Sequence, residues 1–134
     1  MPITYTIDVP MALIITRCIG PVTVDEVQQH FEQLARAWPS VERLDVLLDL
    51  TEQTSLPALE DLEAVARGLD SQIGSRQFGR CAVVTDQDLL HHSMRMFEVI
   101  ASRLFDRIEI FPTAFDALVW LNPSLKASRL LTPH

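Results

Sequence analysis

"RLDVLLDLTEQTSLPALEDL", residues Arg43 to Leu62, decides the fold. Its first eight residues form a nearly continuous apolar run, the pattern of a strand covered on both faces. From Ala58 onward the apolar residues recur with helical spacing. Leu59, Leu62, Val65, Ala66, Leu69 and Ile73 fall on one face, and Gly74 is placed to stop the helix. A strand handing over to an amphipathic helix is the repeating unit of a parallel α/β sheet. The bend between them holds three hydroxyls, Thr51, Thr54 and Ser55. Pro57 suits a first helical turn, where its missing N–H costs nothing, so Ser55 is the expected N-cap.

The same unit repeats downstream. "RCAVVTD" (80–86) reads as a buried strand, "DLLHHSMRMFEVIASRLF" (88–105) as a helix, "RIEIF" (107–111) as a strand and "TAFDALVWL" (113–121) as a short helix. Upstream, "ITYTID" (3–8) alternates Ile3, Tyr5 and Ile7 with polar neighbours, the period of a half-buried strand. "ALIITRCIG" (12–20) closes at the Gly20-Pro21 turn, and these two strands form a leading antiparallel hairpin. "TVDEVQQHFEQLARAW" (23–38) sets Val24, Val27, Phe31, Leu34 and Trp38 on one helical face. Three helices open with a capping-box spacing, at Thr23/Glu26, Thr85/Asp88 and Thr113/Asp116. The predicted order is β-β-α-β-α-β-α-β-α. This is a single α/β domain with a largely parallel mixed sheet over residues 1–121, followed by a C-terminal tail, 122–134.

Composition narrows the function classes. The chain has 134 residues, 48% of them hydrophobic and 22% charged, which excludes a disordered chain. No apolar run reaches the roughly 20 residues that span a bilayer, and the N-terminus lacks the basic and apolar regions of a signal peptide. The expected location is the cytoplasm, with Cys18 and Cys81 as reduced core residues inside strands. Net charge is −7 and Lys126 is the only lysine, so neither a nucleic-acid backbone nor an anionic membrane surface is an expected partner.

Ligands of parallel α/β sheets favour the crevice beyond the carboxyl ends of the strands. There the sequence gathers Thr54, Thr85 and Asp86, with His91 just inside the following helix, as candidate ligand-binding residues. The edge has no glycine-rich phosphate cradle, and no GxSxG, P-loop or GxGxxG occurs, so no catalytic residue and no cofactor are expected. His91 and His92 project ~100° apart on a helix and cannot share one ion, and no CxxC or HExxH spacing supports a metal. On the helix from 88, Leu90, Met94, Phe97, Ala101 and Leu104 make the core stripe. Leu89, Met96 and Ile100 lie to one side of it and Val99 opposite, an apolar arc wider than a singly packed helix needs. Those four residues form a candidate association face, and a symmetric homodimer is the commonest way of covering one.

Five phrases in this order resemble the SpoIIAA-like domains of the STAS-like group (sulfate transporter and anti-sigma factor antagonist), in its compact STAS/SEC14-like bacterial branch. They are "GPVTVDEV" (20–27), "VLLDLTEQT" (46–54), "RCAVVTD" (80–86), "MRMFEVIA" (94–101) and "IEIFPTAFDALVWL" (108–121). The resemblance implies a non-catalytic binding or regulatory module acting through protein contacts. It also implies an alternative, a carrier of a small or lipid-like ligand held between helices and sheet, as in SEC14-like folds. Signalling members carry a phosphorylatable serine in a motif similar to D-S-S-G-L after the "DL" strand. This chain has "TSLPAL", without the aspartate or the glycine, and the family's site would fall near Ala58 or Leu59. Ser55 could occupy that site as a phosphosite only with a shorter loop, so the residues do not support a regulatory serine or partner switching by phosphorylation.

Overall fold

The computed structural model describes residues 2–40, 43–73 and 76–123. Among these residues nine elements run in the expected order: β1 (Ile3–Asp8), β2 (Leu13–Gly20), α1 (Val24–Ala37), β3 (Arg43–Gln53), α2 (Leu59–Ile73), β4 (Gln77–Val84), α3 (Asp88–Ile100), β5 (Arg107–Phe111) and α4 (Ala114–Leu121). The five strands form one sheet in sequence order, β1-β2-β3-β4-β5. β1 is antiparallel to β2, and every later pair is parallel. Each crossover steps one strand in the same direction. Right-handed crossovers of that kind stack their helices on one side of the sheet. Phe31 of α1, Leu62 of α2 and Leu90 of α3 accordingly share one core with Ile14, Leu44 and Cys81 of the strands.

α4 comes after the last strand and packs on the opposite side. Its Ala117 and Leu121 meet Leu13, Leu47, Ala82 and Val84 in a second, smaller core. Arg80 fastens it there. The guanidinium donates to the carbonyls of Trp120 at 2.9 Å and Leu121 at 2.6 Å, and stacks over the Trp120 ring at 5.1 Å. A cation at a helix C-terminus also meets the negative end of the helix dipole. Asp45 completes the clamp, accepting the Arg80 backbone N–H at 2.8 Å with its carboxylate 3.7 Å from the guanidinium. Gly79 makes room for this, because a Cβ there would run into the Asp45 carboxylate.

The helix starts divide. Thr23 and Glu26 form the full capping box on α1, and Thr113 accepts the Asp116 N–H on α4. Thr85 does not cap α3. β4 ends one residue earlier, so Thr85 lies buried at the strand exit, donating its N–H to the Phe111 carbonyl and accepting the Gln87 N–H. Gln87 is the N-cap and makes no side-chain capping bond. Nor does Ser55 cap α2, which starts four residues after it; Asp61 accepts the Ala58 N–H at the helix start instead. β3 continues past Leu50 to Gln53, because a bulge in its pairing with β2 lets Glu52 and Gln53 meet Ile19 and Gly20. Gly20 supplies the positive φ of 72° with which β2 ends. Leu59, read as a core position, stands exposed at the first turn of α2. Gly74, Lys126 and the tail from 124 lie outside the described residues.

Replacing Arg80 with Leu removes two charge-assisted bonds to the end of α4 and leaves Asp45 without its cation. The expected loss is about 1–3 kcal/mol of stability, read as a lower thermal midpoint by circular dichroism with an early change in tryptophan fluorescence. An unchanged midpoint would show that the clamp contributes nothing.

Candidate functional site

The two sides of the sheet are packed differently. Under α4 lies the smaller core, whereas between the sheet and helices α1 and α2 lies a cavity of about 430 Å³. Its floor is the central strand. Val46 and Leu48 face it and are only half-buried, although β3 is paired on both sides and roofed by helices. Ile14, Thr16 and Cys18 of β2 extend the floor. The roof comes from Val27, His30, Phe31 and Leu34 of α1 and from Leu62 and Val65 of α2. Met94 and Phe97 of α3 close one side. Small and β-branched residues at the roof positions Val27 and Val65 leave the space that larger side chains would fill.

The rim runs along the carboxyl end of β3, where Gln53, Ser55, Leu56 and Pro57 approach Val22 and Thr23. Several of its polar groups bond one another or the backbone, and Asp61 there accepts the Ala58 N–H at 2.9 Å. Ser55 accepts the Val22 N–H at 3.0 Å and donates to the Val22 carbonyl at 3.3 Å, joining the β3–α2 loop to the β2–α1 connection. Gln53 donates to the Ser55 carbonyl at 3.0 Å, and Thr23 is held by Glu26. Inside, the polar groups are Thr16 and His30, whose Oγ1 and Nε2 are 3.4 Å apart, a long contact for a hydrogen bond. His30 is 8% exposed, and its Nδ1 is buried with no hydrogen-bond partner. Burial pushes its pKa down from 6.5 to about 4, so the imidazole is neutral near pH 7.

Two cysteines also line the cavity, and neither is a nucleophile. Burial first, then the nearby charge of Asp49 for Cys18 and of Asp45 for Cys81, pushes each thiol up to about 12. No group of three or more His, Cys, Asp or Glu among the described residues could hold a metal ion. Among the described residues no lysine or arginine lines the cavity. Apolar walls, the Thr16–His30 pair inside and a polar rim that includes Asp61 give a recess suited to holding a molecule.

Of the residues singled out in the sequence, Ser55 lines this cavity; Thr54, Thr85, Asp86 and His91 do not. Thr54, Asp86 and His91 are exposed, and Thr85 is consumed by the strand exit described above. Leu89 and Val99 stand 66% and 75% exposed, while Met96 and Ile100 are half-buried against the main core. Sequence reading passed over His30 and Thr16. The signal for His30 was present, since it sits three residues after Val27 and four before Leu34, on the core face of α1.

The SpoIIAA-like family profile matches residues 13–122, the span holding the buried residues of both cores and all of the cavity lining except Ile3. The chain belongs to the SpoIIAA-like family. The domain is similar in structure to an uncharacterised DUF3478-family protein with a SpoIIAA-like fold from Shewanella loihica PV-4. The TM-score is 0.64 and the identity 22%, over 89% of this chain and 93% of that one. No functionally curated protein matches the sequence. The SpoIIAA-like fold is thus established on two independent grounds, and no helix among the described residues is long and apolar enough to cross a membrane.

His30 links stability of this domain to pH. Its folded pKa lies below the unfolded value, so the unfolded chain binds more protons between pH 6.5 and about 4. Stability from this group is complete above pH 6.5 and is lost as pH falls through that window. Urea midpoints measured across pH 4–7 should decline on acidification, with a shallower slope in His30→Phe. Identical slopes in the two proteins would sink the assignment.

Proposed function

We propose that this SpoIIAA-like domain is a non-catalytic binding module whose cavity holds a small, mainly apolar molecule. The observation that carries the reading is the 430 Å³ space between β3 and helices α1 and α2. Size and lining support occupancy. A recess of this volume, lined mostly by apolar side chains with a few polar groups, is of the size and chemistry that small-molecule sites have. Water inside it finds few polar partners beyond the Thr16–His30 pair. A ligand of matching shape displaces that water and covers the apolar walls.

Native mass spectrometry of protein purified gently from its own cells should show a stoichiometric organic adduct. The uncharged dye N-phenyl-1-naphthylamine should also bind and brighten. Leu48→Phe, which fills the floor, should abolish dye binding while raising stability by about 0.5–2 kcal/mol. A bare protein that leaves the dye dark would refute the reading.

A second reading rests on α3, where Leu89 and Val99 are the most exposed of the large apolar side chains among the described residues. This supports contact with a protein partner, a second copy of the chain being the simplest. Sedimentation should then show a dimer that Val99→Asp and Leu89→Asp convert to monomer; a monomer at all accessible concentrations removes the self-association form of this reading.

A further inference from the structure

We propose that the occupant is an apolar molecule carrying one uncharged hydroxyl, and that the Thr16–His30 pair binds that hydroxyl. The inference rests on the cavity reading above and adds the chemistry of the ligand. It begins from a count of hydrogen-bonding capacity. Neutral imidazole offers one N–H and one lone pair, and a threonine hydroxyl offers one O–H and two lone pairs. Whichever partner donates across the 3.4 Å contact, one imidazole nitrogen and at least one hydroxyl lone pair stay unused. At the rim, Ser55 bonds the Val22 backbone, Gln53 Nε2 the Ser55 carbonyl and Thr23 the Glu26 side chain, while Asp61 keeps accepting capacity there. Deeper inside, among the described residues, the fully buried side-chain atom without a partner is His30 Nδ1, beside Thr16 where β2 meets α1.

A half-turn of the His30 ring about Cβ–Cγ would exchange Nδ1 with Cδ2 while keeping the ring plane between Tyr5 and Phe31, at the cost of the long contact to Thr16. A hydroxyl both donates and accepts, so it satisfies the pair in either tautomer. A hydrocarbon leaves the pair as it is. A carboxylate accepts only, and it would carry a charge into a space that no lysine or arginine among the described residues lines. The 430 Å³ holds about 14 groups at the roughly 30 Å³ that a water takes in the liquid, which sets the scale of the apolar body.

Three compounds of equal carbon number separate these cases: 1-nonanol, its isomer methyl octyl ether, which cannot donate, and nonanoate. Each is titrated against the protein loaded with N-phenyl-1-naphthylamine. Nonanol should displace the dye at about three- to tenfold lower concentration than the ether, and Thr16→Val, nearly isosteric, should erase that difference while leaving ether binding intact. In the wild type, nonanol should also shift the ¹⁵N resonances of His30 and leave those of exposed His91 and His92 in place, a readout that needs no variant. Equal binding of alcohol and ether, a preference retained in Thr16→Val, or silent His30 resonances would overturn the anchor while the cavity reading stands. Tightest binding by nonanoate would overturn the uncharged class. A dye that never binds would remove the cavity reading, and the anchor with it.

Discussion

The pairing of β3 with parallel neighbours on both sides is the constraint on which the rest of the domain depends. With β2 and β4 fixed along its edges, β3 has two faces to cover and no edge to spare. Crossovers that always step the same way commit α1, α2 and α3 to one of those faces. The other is left to the chain beyond β5. α4, eight residues long, fills that role and reaches Leu47 of the central strand from that side. Three helices on one face and one on the other is thus a consequence of winding direction, not of any single contact.

That asymmetry assigns different tasks to the two faces. A short helix on an open sheet needs specific fastening, and Arg80 and Asp45 provide it with directional bonds to α4 and to the backbone of β4. The longer helices opposite can rest on their ends and on one another. Leu34, Leu69 and Phe78 close one end of that layer, while Val27 and Val65 leave its middle open. The helical layer therefore stays attached to the sheet while standing away from Val46 and Leu48. A domain that binds inside itself needs that combination, because an occupant must enter without dismantling the sheet.

Alternation in β1, the apolar run of β3 and the threonine caps at Thr23 and Thr113 were legible because each is a local pattern with a local cause. Failures came where a distant partner competes for the same residue. Thr85 has the spacing of a cap, but the end of β5 takes its N–H, and Gln87 claims its hydroxyl. Ser55 has the residue type of a cap, but Val22 is 33 positions away in sequence and adjacent in space. The cavity was beyond sequence for another reason. Val46 and Leu48 read as core whether the roof above them is closed or raised, because separation between layers is set by every side chain in the layer together. Methionine and leucine positions on α3 showed the same limit: Met96 and Leu89 look alike in the helical pattern, and only the first finds a neighbour.

Ser55 sits where the β2–α1 connection meets the loop after β3. By position in the sequence, the phosphorylated site of the signalling domains falls near Ala58 or Leu59, and Ser55 reaches it only with a shorter loop. Here its oxygen accepts from and donates to the same residue, closing the gap between two loops at the cavity rim. A phosphate on that oxygen removes its donor, leaves the Val22 carbonyl unmet and brings negative charge to a rim that already includes Asp61. The neighbouring bonds, Thr54 N–H to the Gly20 carbonyl and Gln53 to the Ser55 carbonyl, hold the backbone of the same loop and would be strained together with it. The hydroxyl thus closes the rim only while it is unmodified, beside Leu56, which stands exposed at the mouth of the cavity.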